Sequence, residues 1–342
     1  MSTQSPNPNI VTLQGGEEFV VGESLTTKAL RRLRNDRLSL VAIGYFVIIS
    51  VLCFSAPVFE QILGVSFSKT NVTQSFLPVC IPALGIGTDY VRPQSLRGGS
   101  TDELPVGCDP KHILGTDDLG RDHLVRLLYG GQVSLRIAFL AAAISLAIGV
   151  TLGMITGFFG GVVDDAVNFV ITVLSSVPSL FLLLIISAFV LQNEDLLKIF
   201  PSDILLVIVL GILGWTGTTR LVRGETLSIR EREYIVGARA MGARPLRIMF
   251  VHILPNLLSI VVITLAADIG GLILAEAALS FLGLGVRVPL PSWGNMLSQA
   301  QTFFTYGVHL VILPGVLIFT TVLCLYILGD GIRDAFDPTA RD

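Results

Sequence analysis

EYIVGARAMGARPLRIMFVHILPN, residues 233–256, lies between two apolar runs of membrane length and decides how the rest of the chain is read. A connection with no task of its own is polar and turn-rich. This one predicts two short helices joined at a glycine. From 231 to 241 only Gly237 weakens a helix, at about 1 kcal/mol relative to Ala. Gly242 stands where a helix C-terminus takes a left-handed residue, and Pro245 suits the first turn of the next helix. Tyr234, Gly237, Ala238 and Met241 fall at i, i+3, i+4 and i+7, forming one face that is apolar and small at its middle. Such a face suits close approach by another protein, as a helix laid into a groove. It equally suits packing on the chain's own membrane-embedded part.

Outward from this segment the chain is apolar. Hydrophobic residues make up 52% of it and charged ones 14%, which excludes an ordinary soluble domain. The net charge of −3 is too small to imply nucleic acid as a partner. Runs long enough to cross a bilayer occur at residues 38–59, 137–158, 166–191, 204–222, 257–281 and 308–328, so six spans in an all-α polytopic membrane protein are expected. The first begins too late and runs too long for a cleaved signal peptide, and it is read as an uncleaved anchor. Residues 1–27, rich in Ser, Thr, Asn, Pro and Gly, are expected to be a disordered tail. A basic segment and the first span follow (28–59), then a long loop (60–135), a five-helix core (136–338) that contains the 231–256 loop, and a short tail (339–342).

Basic residues set the orientation. Lys28, Arg31, Arg32, Arg34 and Arg37 precede the first span; Arg220, Arg223, Arg230, Arg232, Arg239, Arg244 and Arg247 lie between the fourth and fifth; Arg333 and Arg341 follow the last. Positive charge gathers on the cytoplasmic side of short loops. Both termini and the 231–256 loop are therefore expected in the cytoplasm.

The order ARAMGA, a spacer and HILPN resembles the cytoplasmic coupling loop of ABC-importer permeases, and more narrowly the C-type permease subunit of the dipeptide, oligopeptide and nickel importers. HILGTDDLGRD (112–122), LLYGGQVSLR (127–136), LSFLGLG (279–285), PSWGNML (291–297) and LGDGIRDAFDP (328–338) are similar to that subfamily's motifs, in that order. The likeness covers residues 25–338, weakly between 58 and 110. It implies a type I ABC-importer permease fold with coupling helices between spans four and five. It further implies half of a translocation pathway, a second related permease subunit, two cytoplasmic ATPase subunits that use the ATP, and an extracytoplasmic substrate-binding protein. Tyr234, Gly237, Ala238, Met241, Gly242 and Ala243 match the coupling positions. Where the family has Glu-Ala-Ala, this chain has Val236, Gly237 and Ala238, so the acidic residue is absent there and Glu233 lies one turn earlier.

The chain carries few signs of catalytic chemistry. The four lysines, Lys28, Lys69, Lys111 and Lys198, follow no glycine, so the chain carries no phosphate-binding GK[ST]. His112, His123, His252 and His309 form no HExxH pair, Cys80 and Cys108 lack zinc spacing, and no GxSxG elbow occurs. The chain is expected to be no enzyme and to bind no cofactor or metal. An ion-gradient-driven carrier is the alternative; such carriers often show internal repeats, and none relates spans one to three with four to six.

Some charges and thiols lie in or near the spans. Asp268 and Glu276 stand two turns apart in the fifth span, where a carboxylate defaults to facing a cavity or a partner helix, so both are candidates for the translocation pathway. Asp164 and Asp165, after Gly160-Gly161, are expected to cap a helix. Arg121 and Asp122 are expected to form an ion-pair and capping cluster at the outer end of span two. Cys53 and Cys324 lie within spans as buried hydrophobes. Cys80 and Cys108 share the outer loop, where a disulfide would close about 29 residues.

Overall fold

The computed structural model describes residues 10–12, 18–20, 25–80, 86, 109–301, 304 and 307–336. Helices account for nearly all of them: α1 (Leu25–Asn35), α2 (Arg37–Phe54), α3 (Ala56–Leu63), α4 (His123–Phe159), α5 (Gly161–Ser175), α6 (Ser179–Gln192), α7 (Glu194–Ile199), α8 (Ser202–Arg230), α9 (Glu233–Ala240), the single turn α10 (Pro245–Arg247), α11 (Leu254–Phe281), α12 (Trp293–Gln301) and α13 (Val308–Phe336). Inside the segment expected to be a disordered tail, β1 (Ile10–Thr12) pairs antiparallel with β2 (Glu18–Val20), with Ile10 opposite Val20. Gly15-Gly16 lies between these β-prone triplets, a composition that favours a hairpin. The helix α1 also begins before residue 28.

Among the described residues, five helices are long and apolar enough to cross a membrane: α2, α4, α8, the run Pro245–Phe281, and α13. The expected third span is not one straight helix. It is α5 and α6, bent by 86° at a short break. Pro178 causes the break, because it has no N–H to continue the ladder and forces the preceding Val177 out of helical geometry. Counting the bent pair as one gives the sixth span.

Two boundaries also move. Residues 123–136, expected in the outer loop, are the first turns of α4. This helix of 37 residues is about 55 Å long against a hydrocarbon core of about 30 Å, so it projects well beyond one. The second short helix expected after Gly242 is continuous with the fifth span, through a π-helical turn at Ile248–Ile253. Pro255 explains the wider turn. It cannot donate to the carbonyl four residues earlier and its ring crowds it, and a π turn relieves both. The Asn256 side-chain amide then donates to the His252 carbonyl at 2.6 Å, satisfying a backbone acceptor in the same stretch.

The centre of the bundle is the α4–α8 pair. On α4, Gly149, Gly153 and Gly157 recur every four residues and meet Thr218, Val222 and Thr226 of α8. A Cβ added at Gly153 would lie 2.7 Å from the Val222 Cβ, and one at Gly157 would lie 2.6 Å from the Thr226 Cβ. Small residues at this spacing let two backbones close to contact, which drives helix association where lipid offers no hydrophobic gain. One buried cluster, including Leu135, Ile137, Leu206, Ile273 and Trp293, fills the half of the bundle toward the start of α4. A second, including Met154, Phe158, Val222, Ile229 and Leu257, fills the other half, beside α9.

Candidate coupling surface and pathway residues

The helix α9 ends as its sequence dictates. Gly242 has φ +79°, its N–H donates to the Arg239 carbonyl at 3.0 Å, and the Ala243 N–H donates to the Ala238 carbonyl at 3.1 Å. This is the Schellman arrangement. A Cβ at Gly242 would meet nothing within 4 Å, so the glycine is required by its dihedral and not by space.

The two faces of α9 separate cleanly. Tyr234 is 45% exposed, Val236 51% and Met241 85%, while Gly237 is exposed and a Cβ there would touch nothing within 4 Å. Ile235 and Ala238 are buried instead. Ala238, expected on the docking face, therefore turns inward. Ile235 and Ala238 stand three residues apart on one stripe, and the larger Ile235 directs that stripe toward Ile248, Met249 and Ile253. The outward face is Tyr234, Gly237 and Met241, with Val236 beside them.

The helix is also pinned to the spans. Its buried face joins one cluster with Val150, Met154 and Phe158 of α4, Val222 and Ile229 of α8, and Leu257 of α11. The Arg239 guanidinium lies 5.3 Å from the centroid of the Phe158 ring, and Arg230 Nη1 donates to the Gly157 carbonyl at 2.9 Å. A force on α9 would thus reach the ends of three spanning helices through close-packed contacts, which transmit displacement with little compression. Close by, both carboxylate oxygens of Asp164 accept from Arg223, and Asn168 donates to the same group. Asp164 consequently does not cap α5 as expected: Gly160 occupies the cap position, and the carboxylate ties α5 to α8. The arginine fork occupies both carboxylate oxygens at once with two charge-assisted bonds of fixed geometry.

The two pathway candidates have different surroundings. Glu276 is fully buried. One oxygen accepts from Ser134 Oγ at 2.8 Å and the other from Ser280 Oγ at 2.7 Å. Ser134 Oγ in turn accepts from the Trp293 N–H at 3.2 Å, and the buried Trp293 indole donates to the Leu127 carbonyl at 3.0 Å. Glu276 thereby locks α4, α11 and α12 together, and it presents no surface to a cavity in this conformation. Asp268 is half-buried at the middle of α11. Thr218 Oγ1 donates to it at 3.0 Å, and it lines a cavity of about 370 Å³ with Ser145, Gly214, Ala267, Gly271, Leu272 and Tyr326.

The opposite end of the bundle is held by polar contacts. Asp122 caps α4 by accepting from the Val125 N–H at 2.8 Å and pairs with His112 Nδ1 at 2.8 Å. Arg121 pairs with Asp117 at 2.7 Å across the turn at the left-handed Gly120, so the expected ion-pair and capping cluster forms with Asp117 and His112 as the partners of Arg121 and Asp122. Burial, and next to it the charge of Asp117, push the Asp118 carboxyl above its ordinary range. Cys80 is disulfide-bonded, whereas Cys53 and Cys324 are free thiols. Cys108, its expected partner, lies outside the described residues. The serine–glutamate–tryptophan lock and the glycine stripe of α4 escaped the reading of the sequence; Glu276 and Ser280 at i, i+4, and small residues at every fourth position, were the signals available.

Comparison with known proteins shows the family. Residues 149–342 match the family described as "Binding-protein-dependent transport system inner membrane component". The chain is 32% identical over 319 residues to the oligopeptide transport system permease protein OppC of Bacillus subtilis, covering 93% of this chain and 91% of that one. It is 34% identical over 323 residues to OppC of Escherichia coli K12, covering 94% of each. It is 38% identical over 238 residues to the dipeptide transport system permease protein DppC of Alkalihalophilus pseudofirmus, covering 69% of this chain and 74% of that one. Among solved structures, the inward-facing MetNI methionine ABC transporter aligns with a TM-score of 0.46 at 20% identity, over 61% of this chain and 95% of that one.

Proposed function

Because the chain belongs to the family of inner membrane components of binding-protein-dependent transport systems, we propose that it is the permease subunit of an ATP-driven importer whose cargo is a di- or oligopeptide. It supplies half of the translocation pathway. The 231–256 loop faces the cytoplasm with both termini and couples the spans to an ATPase. The assembly contains this chain, a related but non-identical permease, two cytoplasmic ATPase subunits and an extracytoplasmic substrate-binding protein. ATP is bound and hydrolysed by the ATPase subunits, and this chain binds no cofactor.

One observation carries the coupling role. A short helix presents Tyr234, Gly237 and Met241 outward, while its inward face is cemented to the ends of α4, α8 and α11. A helix needed only for packing would hide its small residues; here Gly237 stands open on the outer face. Peptide cargo follows from the relatives, whose names are those of oligopeptide and dipeptide permeases.

Purification in mild detergent tests the proposal. A four-subunit membrane complex with cargo-dependent ATPase activity is expected. A transport-competent homodimer without ATPase, driven by a proton or sodium gradient, would replace it with an ion-gradient-driven carrier.

A further inference from the structure

Among the described residues, Asp268 is the one carboxylate at the middle of a spanning helix that the fold leaves open. Glu276 uses both oxygens on Ser134 and Ser280, and Asp203 pairs with Arg136 at the start of α8. Asp268 accepts one bond, from Thr218, and no described cation stands within ion-pair distance of it. An ionised carboxylate has room for about four such bonds. Leaving it underused at membrane depth is costly unless a ligand or water completes its shell.

The walls of the cavity specify that ligand. Asp268 from α11, the Ser145 hydroxyl from α4 and the half-exposed Tyr326 ring from α13 line the same space, with Gly271 keeping the wall beside Asp268 low. A carboxylate, a hydroxyl and an aromatic face together suit an ammonium: charge-assisted bonds on one side and the ring's negative face on the other. The set is a poor one for a metal ion, since no group of three His, Cys, Asp or Glu side chains is gathered among the described residues. A second cavity, of about 390 Å³, lies at the α5–α6 bend and shares Gly214 and Leu272 with the first. The two cavities therefore lie side by side in the helix bundle, with Gly214 and Leu272 as a common wall.

The geometry points to Asp268 as the group that receives the protonated amino terminus of a peptide in transit, with Tyr326 and Ser145 completing the site. This rests on the permease reading above and deepens it: Asp268 lowers the barrier for the cargo's one obligatory cation at the least polar point of the route.

Asp268→Asn tests it, because Asn keeps an acceptor for Thr218 and the shape while removing the charge. The complete importer, with its ATPase and binding-protein partners, is reconstituted in vesicles and given radiolabelled trialanine. Around pH 6.5 the variant should take up trialanine about tenfold more slowly than the wild type, a difference of about 1.4 kcal/mol. Near pH 9 the peptide amine, with a pKa of about 8, is largely neutral, and the ratio of the two rates should fall toward one. Among the described residues Tyr326 is the only other titratable group on the cavity wall, and Asp268→Asn leaves it in place, so its own titration cancels in the ratio. Tyr326→Phe should retain uptake and Tyr326→Leu should lower it, separating the ring from the hydroxyl. Equal rates for wild type and Asp268→Asn, or a ratio unchanged by pH, overturn the ammonium site and leave the permease role standing. An Asp268→Asn variant that no longer assembles with its ATPases makes the residue structural and also overturns it. No uptake of trialanine by an assembled wild type overturns the peptide reading itself.

Discussion

Gly237 separates stability from coupling, because the same substitution should move the two in opposite directions. In this chain alone a Cβ at Gly237 meets nothing within 4 Å, so Gly237→Ala adds no clash and removes the helix penalty of glycine, about 1 kcal/mol in favour of α9. Gly237→Arg starts from the same open Cβ position on an exposed face, and a surface change of that kind stays within about 0.5 kcal/mol apart from the propensity gain. Against a docked ATPase the outcome reverses. Gly237 is the low point between Tyr234 and Met241, and a partner that fills it would bury the added guanidinium without a counter-ion, at about 3–5 kcal/mol. That is a loss in association of over a hundredfold. The assay is co-purification of the ATPase with affinity-tagged permease, with cargo uptake measured in parallel. Gly237→Ala should keep the permease at normal levels and weaken association modestly; Gly237→Arg should keep the levels and abolish both association and uptake. Normal association and uptake in Gly237→Arg would show that the exposed face of α9 is not the docking surface. Ala238→Arg is no substitute for this test, because Ala238 is buried on the inward face of α9 and the charge would disrupt the chain's own packing.

Three further outcomes follow from other contacts. Gly153→Val should prevent stable folding in the membrane, since its Cβ would already lie 2.7 Å from Val222, and overpacking at such a crossing costs about 1–3 kcal/mol or more; wild-type thermal stability of the detergent-solubilised variant would refute the close approach of α4 and α8. The Asp118 carboxyl has a raised pKa in the fold, so its contribution favours the folded state at low pH and is lost as pH rises through that value; Asp118→Asn should therefore raise the unfolding temperature at pH 7 and leave it unchanged below about pH 3, where the carboxyl is protonated in both states, and a lower unfolding temperature at pH 7 would show that its ion pair with Arg121 outweighs burial. Non-reducing peptide mapping should recover Cys80 linked to Cys108 with Cys53 and Cys324 as free thiols, and alkylation of Cys80 in non-reduced, denatured protein would disprove the bridge.

Much of the protein was legible in its sequence because the bilayer simplifies the code. Backbone groups in hydrocarbon must bond within the segment, so a long apolar run is a helix whatever its neighbours are, and 137–158, 204–222, 257–281 and 308–328 each fall on one, whereas 38–59 ends its spanning helix at Phe54 and runs on into α3. Gly242 was legible for a related reason: a left-handed helix end is a local requirement that few residues other than glycine meet cheaply. Tertiary structure decided the rest. Ala238 and Gly237 are adjacent, small and equally suited to a docking face, and only the neighbours of Ile235 determine which turns inward. Asp268 and Glu276 are both carboxylates in one span, but residues far away in sequence, Ser134 beside one and Thr218 beside the other, make one a closed lock and leave the other open to a cavity. Periodicity assigns a residue to a helix face; which partner that face meets depends on other chain segments, 50 residues away for Asp268 and 142 for Glu276, and that information exists only once the helices have packed.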